Sequence, residues 1–167
     1  MDLAKHISSW SKDPKTKVGC VIVGSKNKEL RSIGYNGLVR GFDDSKTEYY
    51  QKPLKNSFVE HAETNAVFNA ARIGVSLEGC FLFCTHFMCQ SCSRSIIQSG
   101  MSTAVVLESK CNLEFRKSNA LEIQQSKTIL NNNNFKLVIL SEEEEKINSL
   151  SFDPQPAEES FITRIFV

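Results

Sequence analysis

The chain has 167 residues, 41% of them apolar, and its 20 basic and 19 acidic side chains leave a net charge of +1. That length and composition suit one domain with a real core and exclude wholesale disorder. No apolar run approaches the roughly 20 residues of a membrane-spanning helix, and the basic residues lack the density expected of a duplex-binding surface.

Residues 2–10 read as a short helix, with Leu3, Ile7 and Trp10 at helical spacing and Asp13-Pro14 as its breaker. Val18 to Val23 is a compact β-branched run and predicts a buried strand. A turn at Ser25–Lys28 leads into a second strand from Leu30 to Gly34, and Gly34-Tyr35-Asn36-Gly37 predicts a turn. Residues 38–57 are irregular and polar, with Pro53 inside, and a loop of that length points to function or disorder. Glu60 to Ile73 predicts a helix ended by Gly74. Cys80–Thr85 reads as a strand, Gln90–Ser99 as a helix ended by Gly100, and Thr103–Leu107 as a strand. Leu113–Leu130 reads as a helix closed by Asn131–Asn134, and Phe135–Leu140 as a last strand. Strands alternating with helices late in the chain imply parallel pairing. The expectation is an α/β domain over residues 1–140, with a five-stranded mixed sheet and helices on both faces.

Residues 141–167 read as an acidic, partly ordered extension, opening with Glu142–Glu145 and ending on the apolar run Phe161–Val167. Charge is split accordingly. Residues 1–140 carry 18 basic and 12 acidic side chains, and residues 141–167 carry 2 and 7. A mildly basic body suits a small anion such as a nucleotide. The N-terminus lacks the apolar core of a signal peptide, so a soluble, cytoplasmic protein is expected (the host's cytoplasm for a viral chain).

Six cysteines occur, and only Cys89 and Cys92 form a C-x-x-C pair. Without a secretion signal, free thiols and a metal site are expected in place of a disulfide framework. Cys20, Cys80, Cys84 and Cys111 read as packed thiols, and His6 and His86 as structural. His61-Ala62-Glu63 opens one predicted helix and Cys89-Gln90-Ser91-Cys92 the next, with 27 residues between His61 and Cys89. Each half alone is a weak signal. Together they supply one imidazole and two thiolates, and three protein ligands leave a fourth position open, which is the catalytic pattern for zinc. A helix N-terminus favours thiolates. Glu63 lies where a carboxylate can move protons without being a ligand.

H-x-E…P-C-x-x-C is the signature of the zinc nucleobase deaminases. Further blocks resemble the deoxycytidylate (dCMP) deaminases. These are Trp10-Ser11-Lys12-Asp13-Pro14, Thr16-Lys17-Val18-Gly19, Gly34-Tyr35-Asn36-Gly37, His61-Ala62-Glu63-Thr64-Asn65-Ala66, Thr85-His86-Phe87 and Ile96-Ile97-Gln98-Ser99-Gly100. They keep their order across residues 1–140. Two departures stand out. Met88 replaces the proline before the first zinc cysteine, and Leu38-Val39-Arg40 replaces an aromatic or Met followed by Pro.

The resemblance implies a three-layer α-β-α cytidine deaminase-like fold. It implies hydrolytic deamination of dCMP to dUMP and ammonia, which supplies dUMP for thymidylate synthesis. His61, Cys89 and Cys92 would hold Zn2+, with Glu63 as the proton carrier. Asn36 would meet the sugar hydroxyl, the Ala62 N–H the base carbonyl, and the Phe87 carbonyl the exocyclic amine. Lys15, Lys17, Arg40 and Arg72 are the cations for the 5′-phosphate, with Lys17 and Arg72 preferred. The resemblance also implies a homo-oligomer, commonly a hexamer, activated by dCTP and inhibited by dTTP. Gly34, Tyr35, Asn36, Gly37 and Arg40 would lie at the effector site, with Mg2+ accompanying a bound triphosphate. The alternatives are a tRNA or single-strand deaminase and a non-catalytic zinc-binding nucleotide sensor. The 24 residues between Asn36 and His61 resemble the mononucleotide branch, and an intact Glu63 speaks against the sensor.

Overall fold

The computed structural model describes residues 1–107 and 120–141, together with 143 and 144. Cys111, the start of the helix expected from Leu113 and most of the acidic extension lie outside the described residues. Helix α1 (Asp2–Ser8) precedes strands β1 (Gly19–Val23) and β2 (Leu30–Tyr35). Short strands β3 (Gly37–Leu38) and β4 (Val59–Glu60) flank a 3-10 turn at Thr47–Tyr50 and the four-residue helix α2 (Lys55–Phe58). Helix α3 (Ala62–Ile73), strand β5 (Phe81–Cys84), helix α4 (Gln90–Gln98), strand β6 (Thr103–Leu107), helix α5 (Ala120–Asn132) and strand β7 (Lys136–Leu140) follow.

The five long strands form one mixed sheet in the order β2-β1-β5-β6-β7. β1 runs antiparallel to both neighbours, and β5, β6 and β7 are parallel, as strand–helix alternation requires. Alternation along β1 sorts the layers. Cys20 and Ile22 face α3, α4 and α5 with Leu82, Cys84, Ala104 and Val106, and this is the main core. Val21 faces the other way, where Ala4 and Ile7 of α1 cover it. Helices therefore lie on both faces of the sheet.

Two glycines set how close those helices come. A Cβ on Gly19 would lie 2.0 Å from the Ala4 carbonyl oxygen in α1. A Cβ on Gly34 would lie 2.2 Å from the Ala62 carbonyl oxygen and 2.5 Å from the Ala66 nitrogen in α3. Side chains at either position would push a helix off the sheet.

Several expectations need correction. Leu3 and Trp10 are exposed, and the buried stripe of α1 is Ala4 and Ile7. Trp10 instead meets His6 and Tyr35 edge-on, at 5.9 and 6.1 Å between ring centroids. The expected turn at Gly34–Gly37 is extended chain. β2 continues to Tyr35, and β3 pairs with β4 through Gly37↔Glu60 and Leu38↔Val59. That ladder clasps the insert at its base. The insert is no bare loop, since Phe42, Tyr49 and Phe58 stack within 4.8–5.6 Å of one another. Tyr50 is buried and bonds Asp44 at 3.2 Å. Helix α3 begins at Ala62, two residues later than its composition suggests, because Val59 and Glu60 are taken into the ladder.

Candidate active site

Two helix starts face each other. His61 is the N-cap of α3 and Cys89 the N-cap of α4, both with extended backbone. Glu63 and Cys92 sit inside the first turns. Such turns carry backbone N–H groups that their own helices leave unused, and the helix dipole adds partial positive charge. Both helices pack on β-strands of the central sheet, so side chains 28 positions apart are held as one group.

The His61 Nδ1 lies 3.4 Å from the Cys89 Sγ and 3.3 Å from the Cys92 Sγ. All three donor atoms fall within 4.8 Å of one another. Zinc–sulfur bonds of about 2.3 Å and zinc–nitrogen bonds of about 2.0 Å in a tetrahedron place such atoms roughly 3.5 Å apart. The donor set therefore fits a metal ion with three protein ligands and one open position. Among the described residues this is the one such group. Glu63 is 96% buried beside it, 4% of its surface remaining exposed.

The three donor groups share protons among themselves. The hydrogen bond with Cys89 pushes the His61 imidazole up to about 9, against the effect of burial and with help from the Glu63 charge. Hydrogen bonding from Cys92, and then from His61, draws Cys89 down to about 3 despite its burial. Cys92 is pushed up by that same bond, by burial and by the charge of Glu63. Its sulfur also meets the Thr64 hydroxyl at 3.6 Å. A bound cation would replace these shared protons, so affinity for it rises with pH.

Around this centre the other predicted residues divide into groups. Ala62 is the first helical residue of α3, and its N–H is one of the donors the helix leaves unused. Phe87 and Met88 are buried, and Met88 has no exposed surface and belongs to the main core. It fills space directly before Cys89. Asn36 is buried, and Lys15 and Lys17 are exposed on the segment its side chain bridges. The Asn36 Nδ2 donates to the Thr16 carbonyl at 2.9 Å, and its Oδ1 accepts the Val18 N–H at 2.8 Å. Lys17 thus stands between two residues that Asn36 holds.

Arg72 belongs elsewhere. It lies in the last turn of α3, about 15 Å along the axis from Ala62 at 1.5 Å per residue. There Arg72, Arg40 and Arg31 line one open cavity of about 430 Å³, against Ile33, Asn69 and Ile73. Arg40 donates to the Asn69 side chain. Gly34 faces the first turn of α3, so helix packing accounts for that glycine. Tyr35 is exposed, and its carbonyl accepts the Asn65 amide at 2.9 Å. The four thiols outside the metal group divide as well. Cys20, Cys80 and Cys84 are buried and free, and Cys111 lies outside the described residues.

Three side chains escaped the sequence reading. Asp13 is completely buried and forms an ion pair with Lys55. Its carboxylate accepts the backbone N–H groups of Lys15 and Thr16 at 2.9 and 3.1 Å. Burial by itself would raise Asp13. The bond from Lys55 and those two N–H groups outweigh it and hold the carboxyl below its ordinary value. The local signal was an Asp followed by N–H donors two and three positions on, hidden behind its role as a helix breaker. Nothing in the sequence marks Lys55 or Arg31.

The comparisons with known proteins agree with this geometry. The family model for the cytidine and deoxycytidylate deaminase zinc-binding region matches residues 1–108. An uncharacterized deaminase of Aliivibrio fischeri is 37% identical over 123 residues, covering 74% of this chain and 80% of its own. The deoxycytidylate deaminase of Homo sapiens is 35% identical over 105 residues, covering 60% of this chain and 57% of its own. The chain thus spans a little over half the length of that relative. The crystal structure of the dCMP deaminase of cyanophage S-TIM5 superposes with a TM-score of 0.63 at 27% identity, over 83% of this chain and 92% of that one. The cyanophage enzyme has also been solved in complex with dCMP and dUMP.

Proposed function

The chain belongs to the cytidine and deoxycytidylate deaminase family, and on that premise we propose that it hydrolyses dCMP to dUMP and ammonia, with a zinc ion held by His61, Cys89 and Cys92. The observation that carries the reading is the convergence of those three donor atoms beside the buried carboxylate of Glu63. A ligand set alone would suit a structural ion, and the adjacent carboxylate is what hydrolysis requires.

When bound, zinc supplies a Lewis acid that makes water acidic enough to be a nucleophile near neutral pH. The remaining chemistry belongs to the chain. Glu63 accepts a proton from the attacking water and delivers it to the ring nitrogen of cytosine. It then carries the second water proton to the amine, which leaves as ammonia while the ring carbon gains its carbonyl oxygen. One carboxylate acts first as base and then as acid, worth about 10²–10⁴-fold in rate. The Ala62 N–H receives the base carbonyl, and the Phe87 carbonyl receives the exocyclic amine. Asn36 meets the sugar hydroxyl, and Lys17, on the segment it bridges, meets the 5′-phosphate.

Arg72 is reassigned from the substrate phosphate to an effector. The cavity of Arg31, Arg40 and Arg72 supports binding of a nucleoside triphosphate, dCTP as activator and dTTP as inhibitor, with Mg2+ on the triphosphate. Assembly into a homo-oligomer goes with that regulation. No helix among the described residues is long and apolar enough to cross a membrane.

The deciding measurement is ammonia release from dCMP, with deoxycytidine, CMP and a short single-stranded DNA in parallel, with and without dCTP. Turnover on dCMP above the other three is the expected result. Silence on dCMP with zinc bound would overturn the reading and return attention to Met88 and residues 38–40.

A further inference from the structure

We propose that Asp13 and Lys55 are positioning residues that set the Asn36 carboxamide as a hydrogen-bond acceptor for the substrate's sugar hydroxyl. The insert between Asn36 and His61 thereby becomes part of sugar recognition. The inference rests on the dCMP reading above and adds residues that the reading does not use.

The bonding capacity of Asn36 is nearly exhausted. Its two Nδ2 hydrogens go to the Thr16 carbonyl at 2.9 Å and to the Asp13 Oδ2 at 3.3 Å. Its Oδ1 accepts the Val18 N–H at 2.8 Å. An amide oxygen has two lone pairs, so one acceptor position remains and no donor does. The partner that fits is a hydroxyl, and the ring of a 2′-deoxynucleotide 5′-phosphate carries one, at the 3′ position. A flipped carboxamide would set its NH2 against the Val18 N–H and its oxygen against two acceptors. The network therefore permits a single orientation.

That orientation depends on Asp13 being a carboxylate. Its Oδ1 takes the N–H groups of Lys15 and Thr16, and its Oδ2 takes Asn36 and the Lys55 ammonium. A neutral carboxyl would bring a donor to the same point and release the flip. Ser11 braces the arrangement, with its hydroxyl accepting the Asp13 N–H at 3.2 Å and donating to the Asn36 carbonyl at 2.7 Å. Lys55 is the one partner that comes from the insert, and its side chain keeps 23% of its surface exposed while that of Asp13 keeps none. Removing a buried carboxylate's counter-ion leaves an uncompensated charge, which is the condition under which such a site rearranges.

The test compares dCMP with 2′,3′-dideoxycytidine 5′-monophosphate in the full-length wild type and in Lys55→Met, Lys55→Arg and Asp13→Asn, with metal content measured in each. The wild type is expected to favour dCMP by about tenfold or more in kcat/KM, the scale of one buried hydrogen bond. In Lys55→Met that preference should shrink to within about threefold. The loss should fall on KM for dCMP, the metal content should hold, and Lys55→Arg should restore the preference. Asp13→Asn should show the same collapse, and the partly exposed position of Lys55 keeps the test open if Asp13→Asn fails to fold. A wild type with no preference for dCMP overturns the inference, as does an intact preference in Lys55→Met or an equal loss on both substrates. A wild type silent on both nucleotides with zinc bound brings down the dCMP reading and this inference with it.

Discussion

The starts of α3 and α4 and the insert that precedes them are built by different rules. At the helix starts, four functional side chains sit within a few residues of two N-caps, and each helix is seated on the central sheet. Their relative placement follows from helix geometry and from strand β5 lying between them. In the insert, residues 37–60, position is set by a two-pair ladder at the base, an aromatic trio and one ion pair that reaches back to Asp13. The first region is a frame, and small displacements there abolish its chemistry. The second is an attachment, and it can change its grip while the frame stays whole. On the proposed function, proton transfer and base recognition belong to the frame, and recognition of the sugar draws on the insert.

Variants in the two regions should therefore fail in different ways. The largest effect is expected from Glu63→Ala, which should keep its zinc and lose about 10²–10⁴-fold in turnover. Metal analysis of the purified variant checks this, and loss of the ion would move Glu63 into the ligand set. Next, Gly34→Ala should cost about 3 kcal/mol in urea unfolding, at the upper end for overpacking, because the added methyl meets backbone at 2.2 Å. It should weaken metal binding as well, since the displaced turn carries His61. Unchanged stability there would mean that α3 can slide on the sheet and that the frame is softer than described. Met88→Pro should lower stability by about 2 kcal/mol through the cavity it leaves, while deamination persists. A complete loss of activity would show that the turn before Cys89 is built around methionine.

The smallest expected change is one in the shape of a pH profile, at the ion pair that ties the insert to Asp13. Asp13 has its native pKa below the ordinary 3.8. Its contribution to stability is therefore complete above that ordinary value and lost as pH falls through the lower native one. Asp13→Asn should flatten the acid side of the stability profile and leave the neutral side with a constant offset. Thermal melts from pH 2.5 to 7 would read this, and an unaltered acid slope would deny the ion pair any energetic role.

The frame was legible from sequence because its information is local. His61-Ala62-Glu63 and Cys89-Gln90-Ser91-Cys92 each lie within one helical turn, and short spacings survive folding unchanged. The five strands were legible for a similar reason, since a run such as Thr103–Leu107 is short, mostly apolar and rich in β-branched Thr and Val. What could not be read depends on contacts across the chain. Asp13 and Lys55 are 42 positions apart, and neither has a distinctive neighbour. Trp10 shares helical spacing with Leu3 and Ile7, yet α1 ends at Ser8 and Trp10 lies exposed beyond it. Asn36-Gly37 looked like a turn, although the chain stays extended there because Glu60 lies opposite to pair with it. Arg72 is a phosphate candidate by resemblance, and its grouping with Arg31 and Arg40 around one cavity depends on contacts across the chain.

The glycine pair carries a mechanical consequence. Gly34 pairs with Cys20, the neighbour of Gly19, so the two close approaches lie side by side on adjacent strands and on opposite faces. Through that point α1, the sheet and α3 touch by backbone alone. Side-chain layers act as springs, because rotamers shift and take up small displacements, but backbone against backbone has no such give. The line from α1 through the sheet to the turn that bears His61 and Glu63 thus has little give. A displacement of α1 against the sheet therefore acts on that turn through backbone contacts, while a displacement of the insert meets the two-pair ladder at its base.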